Sequence, residues 1–146
     1  LVHRALLRDL GALSTPPPEP AAVAAAAAHD SAAEREAELL ERTADDVCAA
    51  FLLERELYEQ GWDATFAGEV VGVIDSGAFV RFGTLFEGYL PGRSWAGELV
   101  DLDPLGVALV ARRSGRRLRL GDPIDVAVRA VDRAAGRVRI RASRAT

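Results

Sequence analysis

Methionine and lysine are absent from these 146 residues, and cysteine occurs once. The lone Cys48 excludes an internal disulfide and a cysteine-based zinc site. A chain without methionine is expected to be a piece of something longer. No run of about 18 or more strongly apolar residues exists, so no membrane span is expected. The most apolar tract, residues 21–28, is short and built on alanine. No basic segment with a cleavage site marks a secretory signal. These absences make the cytoplasm the expected compartment and leave no membrane among the expected partners.

Hydrophobic residues make up 49% of the chain, enough to build a core. All 18 basic residues are arginine. Arginine suits phosphate because its planar fork binds two oxygens at once; a composition that simply prefers arginine to lysine explains the same count. The charge is divided unevenly. Residues 1–65 hold five arginines against thirteen carboxylates, whereas residues 66–146 hold thirteen against nine. That asymmetry points to an anionic partner for the second half.

Residues 1–10 read as the end of a helix, with Val2, Leu6, Leu7 and Leu10 on one face and Gly11 as its stop. The proline-rich stretch from Ser14 to Pro20 cannot continue it. Ala21 to Ala28 reads as a short helix or as a low-complexity linker. His29-Asp30-Ser31 separates it from a longer helix, because Ser31-Ala32-Ala33-Glu34 has capping-box spacing. This helix is expected to reach Tyr58 or Gln60 and to stop at Gly61. Ala33, Ala37, Leu40, Ala44, Val47 and Phe51 recur at helical spacing as its apolar seam. Because a piece of a domain exposes the face meant for its missing partner, Val2, Leu6, Leu40, Val47 and Phe51 are expected to be less buried than this spacing suggests, unless the arm packs on itself, the barrel or another copy. Beside the seam runs an acidic row, Glu34, Glu38, Glu41 and Asp45, which reads as a solvated face.

From Thr65 the period becomes two. Strands are expected at 65–74, 77–83, 86–90, 124–131 and 137–141, with shorter ones at 99–101 and 107–111. The segment 112–116 reads as a hairpin tip. The fold expected is α+β: a helical arm over residues 1–61, then a five-stranded OB-fold barrel over 62–146 with an inserted β-hairpin. Such barrels often bind single-stranded nucleic acid. Trp62 and Trp95 are read as packing residues. Phe79 and Phe82, with Arg81 between them, suggest a stacking surface; Phe82 equally suits the core.

Several motifs resemble a known family. Gly68-Glu69-Val70-Val71-Gly72-Val73, Gly77-Ala78-Phe79-Val80, Gly88-Tyr89-Leu90-Pro91-Gly92-Arg93-Ser94 and Gly136-Arg137-Val138-Arg139-Ile140 resemble the RNA-binding module named after the largest protein of the small ribosomal subunit. The insertion running from Ala111 to Asp122 resembles that of bacterial ribonuclease R, in the ribonuclease II/R family. Leu1 to Leu6 and Ser31 to Arg42 are similar to helices late in that family's catalytic domain.

The resemblance implies the C-terminal part of a processive 3′→5′ exoribonuclease that hydrolyses single-stranded RNA to nucleoside 5′-monophosphates. It implies magnesium in the parent enzyme, held by aspartates upstream of Leu1. The missing catalytic domain is then a partner. No carboxylate cluster here has metal-ligand spacing, so no metal or other cofactor is expected on these residues, and the chain by itself is expected to be inert. Glu41 and Arg42 match a pair near the RNA 3′ end and are accessory catalytic candidates; a role internal to the helix is the alternative.

On the barrel, Phe79, Asp132 and Arg137 match RNA-contacting positions. Ser76 and Pro91 stand where the family has an aromatic and a histidine, so stacking is expected to be weakened. Arg81, Phe82, Arg93, Arg113 and Arg116 are candidates to compensate. A basic groove would then guide RNA with little sequence preference. An RNA-binding regulator without an enzyme, or a barrel that has lost RNA binding, would fit the same residues.

Overall fold

The computed structural model describes residues 2–14 and 16–143. The expected helix start at Leu1 and Thr15 of the proline segment lie outside them. Two compact units divide the chain, one up to Arg42 and one from Thr43 onward. Among the described residues no helix is long and apolar enough to cross a membrane.

In the first unit, α1 spans Val2–Asp9, and Gly11 follows with φ of 70°. The Arg8 guanidinium donates to the Pro16 carbonyl at 3.0 Å. Helix α2 spans Pro20–Gln60 without the expected interruption at His29-Asp30-Ser31. Those three residues cost only a few tenths of a kcal/mol each relative to alanine in a helix. Starting a second helix would require a new nucleus, which costs more. Ser31 and Glu34 are therefore mid-helix residues rather than a cap, and Ala21 to Ala28 is helix rather than linker. The helix stops where expected: the Gly61 N–H donates to the Leu57 carbonyl at 2.9 Å, with φ of 100°.

The apolar seam is less buried than its helical spacing suggests, as expected for a piece whose partner domain lies elsewhere. Val2, Leu6, Leu40 and Phe51 are exposed and Val47 is half-buried. The residues that α2 buries are Ala50, Leu53 and Leu57. Extending the expected seam beyond Phe51 by three or four positions lands on Glu54 or Arg55. The row through 50, 53 and 57 stays apolar, so this face enters the core. The second compact unit accordingly includes this end of α2.

The second unit is built on a closed barrel, β1-β2-β3-β8-β7, made of β1 (Thr65–Ile74), β2 (Gly77–Phe82), β3 (Phe86–Pro91), β7 (Pro123–Asp132) and β8 (Arg137–Ala142). Neighbours are antiparallel except β3 and β8, which close the barrel in parallel with Tyr89 opposite Arg139. Register shifts lie between Val70 and Gly72 in β1 and between Val128 and Ala130 in β7. Such bulges add the twist that a small barrel needs to close.

The insertion is more than a hairpin. After the single turn α3 (Gly92–Ala96), β4 (Val100–Leu102), β5 (Ala108–Ala111) and β6 (Arg117–Arg119) form a three-stranded antiparallel sheet. Its Leu109 and Leu118 join Leu53, Leu57 and the inward side chains of the barrel in one core. Trp95 packs partly buried against that core, as expected. Trp62 does not; half of its surface is exposed.

Candidate nucleic-acid interface

Strand β2 alternates from Ala78 to Phe82. Ala78, Val80 and Phe82 turn inward, while Phe79 and Arg81 turn outward. Phe82 is 1% exposed and packs between Phe66 and Phe86, with ring centroids 5.5 and 5.8 Å away. It is therefore a core residue, and its candidacy as a stacking platform is withdrawn. The reason is its odd spacing from Phe79, which forces the two rings to opposite faces of one strand.

Phe79 lines a groove of about 630 Å³ together with Tyr89 of β3, Asp132 at the end of β7 and Arg137 and Arg139 of β8. The register explains this grouping. Phe79 sits opposite Tyr89 across β2–β3, Tyr89 opposite Arg139 across the barrel closure, and Arg137 opposite Asp132 across β7–β8. The Phe79 and Tyr89 rings lie 5.6 Å apart at 52°. Asp132 is also a turn residue, its Oδ1 accepting from the Ala135 N–H at 3.2 Å. Tyr89 and Arg139 were not singled out from the sequence. The alternation of β3, with Gly88 and Leu90 inward, places Tyr89 on the outer face beside Phe79.

The groove is not simply basic. Two arginines, Arg137 and Arg139, face three carboxylates on its lining, Asp46, Glu87 and Asp132. Asp46 comes from α2, whose backbone passes close to the β7–β8 turn. A Cβ on Gly136 would fall 2.6 Å from the Asp46 Cβ and 2.8 Å from the Val47 nitrogen. Next to this contact, Arg133 pairs with Glu54 at 3.2 Å and stacks its guanidinium on Phe51 at 5.2 Å.

The remaining candidates lie elsewhere. Arg81 is exposed on β2, in register with Glu69 on one side and Glu87 on the other. Arg93 and Arg113 line a separate hollow around Glu98. There the Arg113 Nε lies 3.5 Å from Glu98, and the Arg113 and Ser114 N–H groups donate to the same carboxylate at 2.6 and 3.1 Å. The Ser114 hydroxyl and these backbone donors hold the Glu98 carboxyl below its ordinary range. Arg112 is clamped by Asp101 through bonds of 2.9 and 2.6 Å. Arg116 stacks over Trp95 at 5.0 Å, on a third surface that also carries Arg117 and Arg141. The arginines of the insertion thus share no lining residue with the Phe79 groove. Glu41 and Arg42 are exposed on α2 within the other compact unit.

Comparison with known proteins gives a consistent picture. The sequence pattern of the S1 RNA binding domain matches residues 61–143. Ribonuclease R 1 of Lactococcus lactis is 28% identical over 142 residues, which cover 94% of this chain and 17% of that protein. Among solved structures, Mycoplasma genitalium RNase R in complex with ribose-methylated single-stranded RNA superposes with a TM-score of 0.60 at 20% identity, covering 70% of this chain and 15% of that one. The apo form of the same enzyme gives 0.56 at 21%, over 68% and 15%. The chain thus spans about a sixth of the length of these relatives.

Proposed function

The chain belongs to the S1 RNA binding domain family, and from that premise we propose that its groove between β2, β3 and β8 binds single-stranded RNA. The observation that carries this reading is the placement of Phe79 beside Arg137 and Arg139 on one open face. The ring offers a base a π-face, and the guanidinium groups offer phosphates paired donors. Neither contact reads base identity, so the binding is sequence-tolerant.

We further propose that the intact protein is a 3′→5′ exoribonuclease releasing nucleoside 5′-monophosphates, with this part passing RNA to an upstream domain. The supporting observation is the similarity to ribonuclease R over most of this chain. The magnesium that such a reaction implies does not fit here. Among the described residues no three His, Cys, Asp or Glu side chains are grouped to hold a metal ion. The role of these residues is to bind and orient RNA.

Titration of the whole chain with a labelled single-stranded RNA of about a dozen nucleotides tests the first proposal. Each phosphate contact on a single strand contributes a slope of about −0.7 to the logarithm of affinity against that of salt concentration. Two arginines predict a slope near −1.4, so a fourfold rise in salt weakens binding about sevenfold. Recruitment of Arg93, Arg113 and Arg116 would steepen that slope to about −3.5. Phe79→Ala and Arg137→Ala should each weaken binding. No binding at low salt would sink the proposal and leave a barrel that serves only as structure.

A further inference from the structure

Helix α2 turns one row of side chains into the core, Ala50, Leu53 and Leu57. One step earlier on that row, a helical turn before Ala50, stands Asp46. Packing alone would put an apolar residue there. Instead the row carries a carboxylate where the helix leaves the core and reaches the rim of the groove, whose lining Asp46 joins. The backbone around it is closely fitted. Helix α2 crosses the β7–β8 turn at Gly136, where a Cβ would stand 2.6 Å from the Asp46 Cβ and 2.7 Å from its carbonyl carbon. Arg133 of the same turn grips α2 further along, through Glu54 and Phe51. The residue after Gly136 is Arg137, so the helix delivers an anion beside the arginines of the groove. The other two lining carboxylates are engaged. Asp132 accepts from the Ala135 N–H, and Glu87 lies opposite Arg81 in the β2–β3 register. Asp46 is exposed, and among the described residues no ion pair ties down its carboxylate.

We propose that Asp46 sets how tightly the groove holds the RNA backbone: its negative charge repels phosphates from the Arg137 end and so limits affinity. This inference rests on the RNA-binding reading of the same groove. A strand that is passed along must leave each phosphate contact as readily as it makes it. An exposed carboxylate beside Arg137 and Arg139 weakens those contacts and makes no demand on base identity. The charge acts through space on phosphates, so its effect is local, blind to sequence and screened by salt.

The test titrates the dodecamer into the parent chain, Asp46→Asn, Asp46→Ala and Asp45→Asn, each checked for folding by thermal melt. Removing the charge at 46 should tighten binding about twofold to fivefold at low salt. Asp45→Asn removes the same net charge one position round the helix, off the groove lining, and should leave affinity nearly unchanged. The gain at 46 should fade as salt rises to about 0.5 M, where screening cuts the reach of a charge to a few ångströms. Toward the same strand with neutral methylphosphonate linkages, the parent and Asp46→Asn should bind alike. If Asp45→Asn tightens binding as much, net charge is responsible and the proposal fails. If both Asp46 variants bind more weakly, the carboxylate accepts hydrogen bonds from RNA instead of repelling it, and the proposal is overturned. A gain that persists on the neutral strand would overturn it equally. If the Asp46 variants match the parent while Phe79→Ala loses affinity, this inference falls and the groove reading stands. If neither the parent nor Asp46→Asn binds RNA, both fall together.

Discussion

Phe79→Ala and Phe82→Ala remove the same ring from one strand and should have opposite consequences. Phe82 is 1% exposed, in contact with Phe66 and Phe86. Truncating such a ring removes its transfer free energy and leaves a cavity, about 3–5 kcal/mol together. The two tilted aromatic pairs account for about 0.5–1.5 kcal/mol each within that sum. A domain of this size has a total stability of about 5–15 kcal/mol. At about 4–8 °C per kcal/mol, Phe82→Ala should lower the melting temperature by on the order of 12–40 °C. Phe79 is half-buried and touches one ring, so its removal should cost only about 1 kcal/mol. Its effect should instead appear as an RNA affinity reduced about fivefold to a hundredfold. Thermal melts followed by circular dichroism and anisotropy titrations with RNA measure both quantities. A Phe82→Ala protein melting within about 5 °C of the parent but failing to bind RNA would refute the reasoning, because it would place that ring on the surface.

Two further perturbations probe the surroundings of the groove. Gly136→Ala demands a left-handed φ of 62° and drives a Cβ against the α2 backbone at Asp46 and Val47. The conformation alone costs about 1–2 kcal/mol, and hydrogen exchange should show α2 amides around Val47 opening sooner; unchanged protection there would mean that α2 does not dock on this turn. For Glu98, the ionised form is favoured in the folded state. The stability it adds is full above the ordinary value of 4.5 and is lost as pH falls through the lower folded value. The Arg113 and Ser114 amide shifts should therefore titrate with a midpoint below 4.5, and a midpoint at or above it would contradict the hydrogen-bonded cradle.

Much of this fold was legible because its signals are local. The change of period at Thr65, the glycines at 61 and 136 and the alternation in β2 mark where elements begin, turn and stop. Phe79, Asp132 and Arg137 do meet in one groove. The continuity of α2 was missed because a capping-box pattern in mid-sequence looks the same whether or not a helix has already begun upstream. The exposure of the seam was legible, whereas the burial of Ala50, Leu53 and Leu57 was not, because only contact with the barrel selects that row. The odd spacing of Phe79 and Phe82 was available to separate surface from core, given the two-residue period of a strand.

Tyr89 and Arg139 belong to another class. Nothing in their own segments sets them apart, since an aromatic and an arginine on outward strand positions are ordinary. They become a site only when β3 pairs in parallel with β8 and closes the barrel, bringing together residues fifty positions apart in the sequence. The same is true of the arginines in the insertion, which a charge count pools and the tertiary structure separates. Sequence by itself determined the barrel strands, the inward and outward faces of β2 and the family resemblance, because hydrophobic period, turn chemistry and motifs act over a few residues. Which faces meet, and hence which rings and charges share a groove, was decided by strand order and barrel closure, which depend on contacts between distant parts of the chain.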